Sequence, residues 1–217
     1  MDLNIFVYVL LIFCIPYLLY SNIRIRPRKG FSVLFISIIS TVILLNFSLV
    51  TIVGTIFLIL TLLIKSENSH PYLYGVSFLL LNYEIYNVLN VNIFELISDY
   101  LFPISLVSGV FSSMMIGHWF LVDPTISKDG MKKIAITSTF QSLILAPLVF
   151  FEFIGQDIES IFKNVILILF LSTSILSFAS YKSLGEKSYT GVMASTGLSY
   201  LSLIVSLGAS GGLLLLS

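Results

Sequence analysis

FSVLFISIISTVILLNFSLVTIVGTIFLILTLLI, residues 31–64, runs 34 positions without a charged side chain. Its division decides the number of membrane crossings. Roughly 20 helical residues cross the hydrocarbon core, so the run is too long for one span. Asn46 and Ser48 are the best place for a tight turn, because short polar side chains hydrogen-bond nearby backbone and compete with the helix. Two short helices are expected on either side of them.

Working outward, apolar runs separated by polar, charged or Pro-containing loops give further spans at about 3–20, 72–91, 97–121, 133–153, 161–181 and 189–216. The total is eight, or seven if residues 31–64 do not turn. Charge discriminates between the two. Ten of the eleven Lys and Arg residues sit at Arg24, Arg26, Arg28 and Lys29, at Lys65, at Lys128, Lys132 and Lys133, and at Lys182 and Lys187; Lys163 stands apart. With eight spans all four basic loops share one side, as the excess of positive charge in cytoplasmic loops requires. With seven they are split. Eight spans place both termini outside the cytoplasm, and Glu95, Asp99, Glu152, Asp157 and Glu159 on that outer side.

Composition points the same way. Of 217 residues 57% are hydrophobic and 10% charged, and mean hydropathy is +1.04, against about 45–50% apolar and 25% charged in soluble domains. The reading is an all-α, polytopic transmembrane bundle, one integral membrane domain over residues 1–217, in a prokaryotic cytoplasmic membrane. The net charge of zero gives no basic surface for nucleic acid. Arg24, Arg26, Arg28 and Lys29 anchor the topology or hold anionic lipid headgroups. A removed signal peptide is not expected, since residues 1–4 carry no positive charge. Cys14, the single cysteine, reads as a small apolar group. A faint echo between Tyr17-Leu18-Leu19-Tyr20 before Pro27 and His118-Trp119-Phe120-Leu121 before Pro124 admits a four-plus-four duplication with parallel repeats.

Polar groups inside a membrane are costly and tend to face the bundle interior, so they are the first candidates for function. His118, with Asp123 five residues on, either anchors a helix end or forms a functional site. Glu84 lies well inside the fourth span, with Asn82, Tyr83, Tyr86, Asn87 and Asn90 around it and with Ser77 and Asn87 on its own side. It either reaches the outer interface or binds a proton, cation or polar substrate. Thr137, Ser138 and Gln141 share a face of the sixth span, with Pro147 beyond them, and Pro16 and Pro103 are further possible kinks. Ser195, Ser199, Ser202, Ser206 and Ser210 recur at spacings of three and four in the eighth span, where close helix packing is the favoured reading over a solute path.

Sharper chemistries mostly fall away. Gly208-Ala209-Ser210-Gly211-Gly212 resembles the short serine motif of intramembrane rhomboid proteases, but it covers five residues, and no His follows on a later helix to act as base. No lysine sits inside a span to carry a retinal Schiff base, and H-E-x-x-H, C-x-x-C and P-loop patterns are missing. No metal site is expected. Haem stays conceivable through His118 with Met193 or His70. The leading expectation is a small transporter or channel moving an ion, proton or small solute, with His118, Glu84, Gln141, Asp123 and Asn87 along its path. The alternatives are a non-catalytic membrane subunit or assembly factor that packs against partner helices or copies of itself, and a lipid-modifying enzyme or haem protein centred on His118.

Overall fold

The computed structural model describes residues 3–22, 29–63, 70–122, 124, 127–186 and 188–216. Arg24, Arg26, Arg28 and Asp123, and the side chain of Lys29, lie outside that description. All regular structure among the described residues is helical. The helices are α1 (Leu3–Asn22), α2 (Lys29–Leu45), α3 (Leu49–Leu63), α4 (His70–Leu89), α5 (Ile93–Val122), α6 (Lys128–Phe150), α7 (Ser160–Ser183) and α8 (Tyr189–Leu216). Contacts divide them into two compact units, Asp2–Leu96 and Ile97–Ser217.

In the amino-terminal unit the uncharged run does break at residues 46–48, between Leu45 and Leu49. Ser48 caps α3: its Oγ accepts the Thr51 amide at 3.1 Å, and its carbonyl accepts the Ile52 amide at 3.0 Å. This satisfies amide groups that every helix start leaves without a partner. The resulting helices have 17 and 15 residues, at or below the lower bound for crossing a bilayer unaided. The buried face is built at helical spacing from Tyr8, Ile12 and Ile15 on α1, Thr51, Thr55 and Leu58 on α3, and Ser77, Leu81 and Glu84 on α4. Helices α3 and α4 approach closely at Gly54. A Cβ there would meet Leu81 at 3.0 Å, and the Gly54 carbonyl accepts the Ser77 hydroxyl at 2.8 Å. The left-handed Asn90 (φ 49°) ends α4, its amide donating to Tyr86 at 2.9 Å, a role that Asn tolerates better than most residues.

Among the described residues, the four helices long and apolar enough to cross a membrane are α5 to α8, of the carboxy-terminal unit. Helix α5 opens as a short α-turn capped by Asn92, widens to a π-helical segment over Leu96–Leu101, and becomes α-helical from Phe102. The wide turn lies immediately ahead of Pro103, whose ring collides with the i−4 carbonyl in a regular helix and which has no amide to donate. Helix α6 starts at Lys128, five residues before the expected Lys133, because Ser127 caps it through the Asp129 amide. It ends in a Schellman turn in which Phe153 donates to Leu148 at 2.9 Å and Glu152 to Val149 at 3.2 Å, with Glu152 left-handed at φ 61°. Leu106, Val110, Leu145, Val149, Ile166, Phe170, Ala209 and Leu213 form an apolar core between these helices.

Candidate functional site

Beside that apolar core, the interior of the carboxy-terminal unit is lined by hydroxyls from all four helices. Ser105, Ser108, Ser112 and Ser113 come from α5, and Ser138, Thr139 and Ser142 with Gln141 from α6. Thr173, Ser174, Ser177 and Ser180 come from α7, and Ser195, Thr196, Ser199, Ser202, Ser206 and Ser210 from α8. Each set contains members three or four residues apart, the spacing that keeps side chains on one helical face, such as Ser105, Ser108 and Ser112 on α5 and Ser138 and Ser142 on α6. No charged side chain among the described residues of this unit is buried.

Most of these hydroxyls bind one another or a facing carbonyl. Ser180 Oγ lies 2.7 Å from Ser195 Oγ and 3.3 Å from Ser199 Oγ, Ser199 Oγ lies 3.4 Å from Ser113 Oγ, and Ser177 and Ser202 are 3.0 Å apart. Ser174 donates to the Thr139 carbonyl at 3.4 Å, and Ser142 donates to the Phe170 carbonyl. Ser210, the serine of the five-residue glycine-rich motif, is fully buried and donates to the Pro103 carbonyl at 2.9 Å. The packing role expected for the α8 serines is thus visible as interhelical bonds from Ser195, Ser199, Ser202 and Ser210. Gly117 lets α5 come close to α8, since a Cβ there would overlap Thr196 Oγ1.

Two hydroxyls break the pattern. Ser112 Oγ and Ser138 Oγ are buried with no hydrogen-bond partner. Ser138, 1% exposed, lines a cavity of about 10 Å³ together with Val110, Ser113, Ala135, Ser177, Ser180, Ser199 and Ser202. That is about the least space that admits one water molecule, and the six hydroxyls around it supply more than the two to four polar partners a water needs. The arrangement can donate or accept hydrogen bonds to a small neutral molecule. It offers no charge to an ion stripped of its water.

The sequence-selected residues fall in different places. Gln141 is buried and donates to the Phe102 carbonyl at 3.0 Å and to Ser105 Oγ. His118 and Met193 are both exposed, and neither lines the cavity. Among the described residues no three His, Cys, Asp or Glu side chains gather as metal ligands would. Thr137 is exposed and bonds back to its own helix at Lys133, so it does not share the buried face of Ser138 and Gln141. In the other unit Glu84 is 8% exposed and accepts a hydrogen bond from Asn46 Nδ2 at 3.2 Å. Ser77 is buried on the same side as Glu84, whereas Asn87, Tyr83 and Tyr86 are exposed.

Sequence reasoning missed the α5 and α7 contributions. The signal was present in the three-and-four spacing of Ser105-Ser108-Ser112 and of Thr173-Ser177-Ser180, the same spacing that drew attention to α8. No family model, no curated protein and no solved structure matches the chain.

Proposed function

From this geometry alone, we propose that the protein is a multi-pass membrane protein that passes a small neutral polar solute through the hydroxyl-lined interior of α5 to α8. The observation that carries the reading is the Ser138 hydroxyl, buried at a cavity and without a partner. A hydroxyl without a protein partner, facing a cavity lined by five further hydroxyls, is placed to hydrogen-bond a small polar molecule that enters. The absence of buried charge among this unit's described residues favours a neutral molecule over ions, which need compensating charge or carbonyl cages, and the size of the cavity favours one as small as water. Gln141, bonded between α6 and α5, lies on the path, and the exposed His118 is an interface anchor. The remaining topology follows the eight-span reading, with the basic loops cytoplasmic.

The test is reconstitution into liposomes and stopped-flow light scattering under osmotic challenge with sucrose, which reads water permeability, with urea and glycerol compared as larger neutral solutes. Wild type should shrink or re-swell faster than protein-free liposomes, and Ser138→Val, which fills the cavity with methyl groups, should abolish the difference. No permeability above empty liposomes refutes the reading. The second reading, a non-transporting subunit, is favoured by the pairing of most of the hydroxyls and by the row of exposed apolar side chains on α7, among them Ile161, Val165, Ile168, Ile175 and Phe178. That reading predicts zero flux together with co-purification of a membrane partner.

A further inference from the structure

In the carboxy-terminal unit one side chain belongs both to the cavity beside Ser138 and to the apolar core: Val110 on α5, 3% exposed. Its position follows from a change that all four helices make. Seven residues, two helical turns or about 10 Å, return a side chain to the same face. That step leads from Ser113 back to Leu106 on α5 and from Ser138 to Leu145 on α6. It leads from Ser177 back to Phe170 on α7 and from Ser202 to Ala209 on α8. In each pair the first member lines the cavity and the second belongs to the apolar core. A hydroxyl-lined layer is therefore stacked on an apolar one, with the hydroxyls nearer the helix ends at Val122, Lys128, Ser183 and Tyr189.

Between the two layers, three or four residues on from the cavity, stand Val110, Ser142, Ser174 and Ser206. Ser142 donates to the Phe170 carbonyl, Ser174 to the Thr139 carbonyl at 3.4 Å and Ser206 to the Leu203 carbonyl at 3.1 Å. Each of these hydroxyls commits its one proton to backbone, and Val110 has none to offer. A molecule leaving the cavity therefore exchanges the partnerless Ser138 hydroxyl for a layer that donates nothing. Ala135, the other apolar side chain of the cavity wall, lies on the Lys128 side of Ser138 and does not join the core. Apolar constrictions hold back water by leaving it without partners, and they sort solutes by the width that their side chains leave.

Taking the interior of this unit as a path for water, the reading on which this inference rests, we propose that Val110 is its specificity-determining residue. Its two methyl groups close the cavity towards the apolar core. They slow water at that boundary and exclude urea, which is larger than the space of about 10 Å³ beside Ser138.

The experiment uses the full chain in liposomes. In water-edited solid-state NMR spectra of wild type, magnetisation from water should build up quickly at Ser113 and Ser138 and slowly at Leu106 and Leu145, with the break at Val110. This readout depends neither on flux nor on a variant folding. Stopped-flow scattering then compares Val110→Thr, which keeps the shape and adds an oxygen, with Val110→Ala, which removes two carbons. Val110→Thr should raise water permeability about two- to tenfold, the factor that one net hydrogen bond supplies, and leave urea excluded. Val110→Ala should admit urea as well. Val165→Ala, on the exposed apolar row of α7, should change neither. Water reaching Leu106 as fast as Ser138 in wild type, urea passing wild type, or Val110→Ala excluding urea as strictly as wild type while water passes, overturns the constriction and leaves the water path standing. Liposomes as tight as empty ones with wild type and both Val110 variants refute the path and the constriction together. Tight wild type beside a Val110→Thr variant that conducts water refutes the open path and upholds the constriction.

Discussion

Ser138→Ala should make the protein as stable as wild type or more so, while Ser180→Ala should weaken it, although both delete one buried serine hydroxyl from the same interior. Ser180 Oγ reaches Ser195 Oγ at 2.7 Å, the Ser195 carbonyl at 3.3 Å and Ser199 Oγ at 3.3 Å. Interhelical hydrogen bonds within membranes average about 0.6 kcal/mol each, so losing three costs at most about 2 kcal/mol. Ser138 Oγ makes no bond. Its burial costs about 1–3 kcal/mol on scales from protein mutants. Removing it gives back part of that, less a few tenths for the slightly larger void, for a net change of about +1 kcal/mol. The two variants should therefore differ by about 2–3 kcal/mol with opposite signs. Equilibrium unfolding in bicelles, followed by far-UV circular dichroism during detergent titration or by steric trapping, resolves such a gap. If Ser138→Ala loses as much as Ser180→Ala, the hydroxyl has a structural partner, such as a resident water, and the argument that it is kept for a passing solute fails. If stability rises while water flux falls, the group trades stability for function.

Further outcomes follow from the packing. Gly117→Ala should destabilise by about 1–3 kcal/mol, because its Cβ overlaps Thr196 Oγ1 and approaches Met131 at 3.0 Å; adding Thr196→Ala should recover much of the loss in the same unfolding assay. Ser48→Ala should cost about 1 kcal/mol by removing the α3 cap, read as a lower unfolding midpoint and faster amide exchange at Thr51. Glu152→Gly relieves a left-handed residue, worth about 1 kcal/mol, but breaks the exposed ion pair with Lys163 at 2.7 Å, worth about 0–1 kcal/mol. The net gain should therefore be small and should grow with salt, which screens the ion pair and leaves the backbone term untouched.

Much of the helical architecture was readable because its causes are local. Asn46 and Ser48 interrupt residues 31–64 through side-chain bonding that any isolated segment would show, and the structure has its break there. Helix ends drifted where the cap was overlooked: Ser127 draws α6 back to Lys128. Pro103 was marked as a possible kink, yet the π-helical turn that precedes it over Leu96–Leu101 depends on how the chain accommodates the ring, and periodicity alone does not reveal that.

The candidate site was legible only in fragments. The α8 serine stripe and Gln141 stood out, but Thr137 was grouped with Ser138, and a step of one residue turns a side chain by 100°, enough to carry it from the buried to the exposed face. His118 drew the most attention by its chemistry and is exposed.

By itself, then, the sequence determined the helical class, the positions of the apolar segments and the turn at Asn46 to Ser48, because hydrophobic run length and local hydrogen-bonding competition act within a few residues. Only the tertiary structure decided which hydroxyls pair across helices, that Ser138 is left over beside a cavity, and that Glu84 meets Asn46. Those facts depend on the rotation and register of helices tens of residues apart in the chain, which are set by side-chain interlock between facing surfaces.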